Sequence, residues 1–268
     1  MKKVLIFTII SILLFTSASF AKSSKEYGVF IGMDKNKVLR LKNYDVLVVD
    51  AQYLSKENIN KLHKNKNRKV YSYLNVGSIE KFRPYYSNFK SITLSNYADW
   101  PEEKWIDVSK KKWQKFISGK GRELKKKKID GLFIDNADVY YHHRNEKIYN
   151  GLTAVLKSLK AYNMDIVING GDTYVLKALN KNPNLKYIDG INQETVFSKI
   201  DFKKKKLTKQ SAGTKSYYKS YCSRAKKAGL SVYLLEYTKS KALKKQISKF
   251  CKARGYKYYI SKSIELDI

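Results

Sequence analysis

The chain has 268 residues, with 55 lysines and arginines against 23 aspartates and glutamates and a formal net charge of +32. Only two cysteines are present, which excludes a disulfide-dense scaffold and a cysteine-built metal centre. Three prolines, no Ser/Gly-rich linker and no internal repeat argue for one folded domain.

The amino terminus reads MKKVLIFTIISILLFTSASFA: two lysines, an apolar run from Val4 to Phe15, then small residues ending at Ala21. This order predicts a secretory signal peptide over residues 1–21, too short to span a bilayer, and a secreted or periplasmic mature protein of residues 22–268. Removing the signal leaves a formal charge of +30. Such an excess suits contact with an anionic cell surface or extracellular polymer. The lysines are scattered, however, with runs at 64–69, 125–128, 203–206 and 226–227. That spread fits a biased composition better than a dedicated nucleic-acid site. Cys222 and Cys251 fall in predicted helices on either side of one strand, and a single bridge between them stays open. His63, His142 and His143 show no ligand spacing with either cysteine, so no metal or other cofactor is predicted.

Eight short apolar or β-branched runs follow in order: Tyr27–Ile31, Val46–Asp50, Val70–Asn75, Gly131–Asp135, Ile166–Asn169, Gly190–Gln193, Val232–Glu236 and Lys257–Ile260. Near-continuous apolar runs suit parallel strands covered on both faces. Helical signals separate them. Ser55 can cap a helix carrying Ile59 and Leu62, Trp113, Phe116 and Ile117 mark a second, and Ile148, Leu152, Val155, Leu156 and Leu159 repeat at helical spacing. Strand and helix alternating eight times in about 240 residues predict an α/β TIM (β/α)8 barrel. A doubly wound sheet would usually carry a glycine-rich turn after its first strand, and IGMDKN is not one. Only SKSIELDI follows the eighth strand, so the last helix is predicted to be abbreviated.

In such a barrel the strands' carboxyl ends supply the site. Asp50, Asn75, Asp135, Asn169 and Glu236 end predicted strands, and Glu194 follows another. Any one could be a helix cap, but six polar strand ends agreeing point to a site, and two facing carboxylates are the equipment of glycoside hydrolysis. Tyr53, Tyr73, Tyr140, Tyr141 and Tyr237 lie beside those ends, where flat rings could stack on sugars.

At these residues the sequence resembles glycoside hydrolase family 114, TIM-barrel endo-α-1,4-polygalactosaminidases. YDVLVVDAQYLS is similar to that family's second strand, and VYSYLNVGSIEKFRPYY to its third with the Gly-x-x-Glu and Arg-x-Tyr-Tyr that follow. WIDVSKKKW, IDGLFIDNADVY, NGG at 169–171, DGINQETVF and LLEY come in the family's order. The resemblance implies Asp135 as nucleophile and Glu194 as general acid/base, with Asp50, Tyr73, Asn75, Asp138, Asn169 and Glu236 lining sugar subsites. A monomer acting on galactosamine/N-acetylgalactosamine polysaccharide with retention is expected. That requires Glu194 protonated, Asp135 ionised, and about 5 to 5.5 Å between them. The rival reading is a non-catalytic barrel that binds glycans or polyanions.

Overall fold

The computed structural model describes residues 25–98 and 100–267. The signal-peptide segment lies outside the described residues. Eight parallel strands form one sheet: β1 (Lys25–Phe30), β2 (Tyr44–Val49), β3 (Lys69–Asn75), β4 (Gly131–Asp135), β5 (Asp165–Asn169), β6 (Gly190–Glu194), β7 (Ser231–Tyr237) and β8 (Lys257–Ser261). They lie in chain order, and every hydrogen-bonded neighbour is parallel. Contact between Phe30 of β1 and Tyr259 of β8, with ring centroids 5.1 Å apart, brings the two edges together in a nearly closed barrel.

The two-residue period of each strand sorts its side chains into two cores. Tyr27 and Val29, Val46 and Val48, Tyr71 and Tyr73, Phe133, Val167, and Tyr233, Leu235 and Tyr237 fill the barrel interior. The alternate positions, such as Leu47, Leu74, Leu132, Ile134, Ile166, Ile168, Ile191 and Leu234, pack outward against the helices. Both faces are therefore apolar, which is why the runs read as continuous.

Each connection from β1 to β8 carries a helix, starting with the single short turn Lys35–Val38. Lys56–Lys64 opens on a capping box in which Ser55 and Asn58 satisfy each other's backbone N–H. Glu146–Lys160 buries Ile148, Leu152, Val155, Leu156 and Leu159 on one stripe. After β8 no helix follows among the described residues. The tail crosses back instead. Leu266 joins the interior cluster, and Glu265 packs its carbonyl so closely on Gly32 that a Cβ there would stand 1.9 Å from it.

Two excursions depart from the repeating unit, and both sit at the strands' carboxyl ends. Between β3 and its helix Lys111–Lys126, the segments Ser78–Glu80, Thr93–Asn96 and Glu103–Ile106 form a three-stranded antiparallel sheet. Between β6 and its helix Ala212–Lys227, Ser198–Asp201 pairs with Lys206–Lys209 as a hairpin.

Candidate active site

The barrel mouth holds a cleft of about 760 Å³, within the roughly 300–1,000 Å³ of small-molecule sites. Eight of the chain's 23 acidic residues line it: Asp50, Glu80, Glu102, Glu103, Asp135, Asp138, Glu194 and Glu265. Among the described residues, only Arg83 and Lys199 oppose them. A strongly basic protein thus carries a strongly acidic cleft.

The strand period explains how the central residues arrive there. Asp135, Asn169 and Glu194 lie two positions beyond inward-facing Phe133, Val167 and Asn192, so each is the topmost inward residue of its strand. A left-handed residue follows each one: Asn136 at φ 64°, Gly170 at φ 63° and Thr195 at φ 55°. This bends the chain away immediately and leaves the side chain on the rim. For β-branched Thr195 the conformation is costly, the kind of strain that concentrates at functional sites.

The side-chain amide of Asn169 joins the two carboxylates. Its Nδ2 donates to Asp135 Oδ1 at 2.9 Å and to Glu194 Oε1 at 2.7 Å. The two N–H bonds of an amide diverge by about 120°, so ideal geometry at those two bonds would set the bound oxygens about 5 Å apart. Tyr237 donates its hydroxyl to Glu194 Oε2 at 2.7 Å. Burial pushes Glu194 up from the ordinary carboxylate range, against the bonds from Tyr237 and Asn169, and the charge on Asp135 adds to the rise. Asp135 is also pushed up by burial, but three donors hold its charged form: Asn169, Tyr73 and the backbone of Asn136. Both carboxyls are raised and they stand next to each other, so they titrate as a coupled pair.

Around the pair stand further carboxylates. Asp138 accepts from the Gly171 amide at 3.0 Å, and burial pushes its carboxyl up to about 7. Asp50 and Glu80 clamp Arg83, whose guanidinium reaches Asp50 at 3.2 Å and Glu80 at 3.0 Å and donates to Tyr53 at 3.0 Å. Glu103 accepts from Asn75 and Ser78, each at 2.7 Å, and from Asn136 at 3.2 Å, while burial pushes it up to about 7.

Of the residues singled out from sequence, Asp50, Tyr73, Asp135, Asp138, Asn169 and Glu194 come together in the cleft lining. Asn75 and Glu236 are placed elsewhere. Asn75 spends its amide on Ser78 and Glu103. Glu236 lies between inward-facing Leu235 and Tyr237, so its parity sends it outward, where it is wholly buried. There it receives the Phe197 and Ser198 amides at 2.9 Å and the Ser198 hydroxyl at 2.5 Å. It anchors the base of the hairpin rather than facing sugar. Tyr53 and Tyr237 line the cleft, whereas Tyr140 packs against Tyr149 and Tyr174.

Strand-end reasoning missed Glu80, Arg83, Tyr97, Trp100 and Glu103, which come from the excursion after β3, and Phe202 from the hairpin. Gly-x-x-Glu and Arg-x-Tyr-Tyr were visible around Glu80 and Arg83, but nothing local says that they fold back over the mouth. Cys222 and Cys251 are free, buried thiols. Among the described residues no group of three or more His, Cys, Asp or Glu side chains could hold a metal, and no helix is long and apolar enough to cross a membrane.

A barrel of eight parallel strands with a pair of carboxylates sharing one amide at its carboxyl end defines a TIM-barrel glycosidase. The chain belongs to glycoside hydrolase family GH114, whose sequence profile matches residues 17–267. Its fold is similar to the glycoside hydrolase domain of PelA from Pseudomonas aeruginosa, with a TM-score of 0.74 at 17% identity, covering 92% of this chain and 96% of that one. It is also similar to Aspergillus fumigatus Ega3, solved in complex with galactosamine, with a TM-score of 0.68 at 17% identity over 92% and 94%. No curated protein matches the chain by sequence.

Proposed function

We propose that this family GH114 enzyme is exported and cleaves α-1,4-linked galactosamine and N-acetylgalactosamine polysaccharide, internally and with retention of configuration. The observation that carries the reading is the Asn169 amide bonded to both Asp135 and Glu194. One amide nitrogen that reaches both carboxylates suits the close pair of a retaining site, about 5–5.5 Å, better than the gap of about 6.5–9.5 Å that admits the water of an inverting one.

In this reading Asp135, whose charged form accepts from three donors, attacks the anomeric carbon while Glu194 gives its proton to the leaving oxygen. The glycosyl ester on Asp135 is then hydrolysed by water, which yields its proton to Glu194 and restores both groups. Eight acidic residues in the cleft favour a polymer with free amines, because a cationic sugar meets attraction there despite the basic exterior. The exposed rings of Tyr53, Phe82 and Trp100 extend flat apolar surface beyond the pair, as a long chain bound along its length requires.

The reading is tested by reducing-end release from partially and fully N-acetylated α-1,4-galactosaminoglycan, with proton NMR of the first-formed anomer. Wild type releases α-anomeric ends, and Asp135→Asn or Glu194→Gln lowers the rate by a factor of at least about 10³. Equal release by both variants would sink the assignment.

A second, separate contact is favoured by the hairpin, where Lys199, Lys203, Lys204, Lys205, Lys206 and Lys209 are all exposed. It suits an anionic surface polymer, and binding that survives Asp135→Asn and falls steeply with salt would show it.

A further inference from the structure

The amide of Asn169 holds the carboxylate pair only in one of its two orientations. Turned by 180°, it would present its oxygen to two acceptors and repel both. Two residues deeper in the barrel support the bonded orientation. Asn192 of β6 donates its Nδ2 to Asn169 Oδ1 at 2.7 Å, and its own Oδ1 accepts the hydroxyl of Tyr27, from β1, at 3.0 Å.

Each link commits the next. Ionised carboxylates only accept, so Asn169 turns both N–H bonds toward them; its oxygen then accepts from Asn192, and the Tyr27 hydroxyl donates to the Asn192 oxygen, which would otherwise be buried without a partner. Water cannot substitute for the last link, since Tyr27 is 4% exposed and Asn192 is wholly buried. The Tyr27 ring is held in turn against Tyr233, with centroids 4.7 Å apart.

The geometry points to Tyr27 and Asn192 as positioning residues that hold the Asp135–Glu194 pair in its arrangement through Asn169. This rests on the reading of those carboxylates as the reacting groups. Neither residue touches the cleft, so the effect is relayed. The pair is also faced by Tyr73 and Glu80, Glu103 and Tyr97 from the excursion, Asp138 from the β4 exit, Tyr218 from the helix after β6, and Tyr237 from β7. All of these stay in place when Tyr27 loses its hydroxyl.

The test compares wild type with Tyr27→Phe and with Asn192→Leu, measuring kcat, KM and the pH profile of kcat/KM. It adds a carbon-13 titration of the Asp and Glu carboxyls without substrate. In Tyr27→Phe, kcat falls about tenfold with KM within twofold. The acid limb and the titration of the pair both move to higher pH, because charged carboxylates that lose a donor are protonated more readily. Asn192→Leu has the same direction and a larger effect, about 100-fold.

An unmoved pH profile and unmoved titrations, with only a lower melting temperature, would make both residues packing alone and overturn the inference. If Asn192→Leu fails to fold, Tyr27→Phe, which removes one oxygen, decides. If wild type proves inactive on every galactosaminoglycan, displaced carboxyl titrations in Tyr27→Phe still support the relay while the proposed substrate falls.

Discussion

Glu236→Gln separates an anchoring carboxylate from a sugar-binding one. Glu236 is wholly buried, and burial pushes its carboxyl up to about 7 against the donors on Ser198 and Phe197. Its unfolded value is near the ordinary 4.3. A group whose folded pKa is raised binds more protons folded than unfolded between those values. Stability is therefore greatest below about 4 and is lost as pH rises toward 7. At about 1.4 kcal/mol per unit, the full shift amounts to about 4 kcal/mol, of which about 3 kcal/mol falls between pH 4.5 and pH 7.5. Glutamine does not titrate. Asp138 and Glu103 also sit at about 7, but they are present in both proteins and cancel in the difference. Urea denaturation at half-unit steps from pH 4 to pH 8 should show the variant gaining about 3 kcal/mol relative to wild type between pH 4.5 and pH 7.5. A difference that is flat with pH, or that moves toward wild type, would refute the account of Glu236 as a desolvated anchor.

Three further outcomes are expected. Arg83→Met leaves Asp50 and Glu80 buried without their shared cation and costs about 3–5 kcal/mol near neutral pH. Denaturant midpoints should show that loss shrinking toward pH 4, as Asp50, already pushed up by burial, takes a proton. Gly77→Ala places a Cβ 1.7 Å from the Asn136 carbonyl, a backbone atom that cannot swing aside. It should cost about 3 kcal/mol or more and lower kcat through displacement of the β4 exit, read by thermal melts and reducing-end assays. Reductant should leave the melting temperature unchanged, since Cys222 and Cys251 are free, and a thiol reagent should count two sites only after unfolding.

The eight strands were legible because each lies in one parallel sheet that is covered on both faces. Its whole length must then be apolar, and its end must be where polarity resumes. Asp135 and Asn169 stood out by that logic, and Glu194 followed the end of such a run. The same two-residue period could also have separated Glu236, since Leu235 and Tyr237 flank it inward and force it out. Reading the strand end without its parity placed Glu236 on the wrong face.

What the sequence by itself determined is the barrel and the level at which its site lies, because strand period, apolar length and helix caps are local properties written within a few residues. Only the tertiary structure decided the rest. Glu80, Arg83 and Glu103 reach the cleft because an antiparallel sheet between β3 and its helix folds over the mouth. Glu236 serves Ser198, 38 residues earlier, and Tyr27 bonds Asn192, 165 residues later. Such contacts depend on which strands become neighbours when the sheet curls into a barrel, and no spacing along the chain records that.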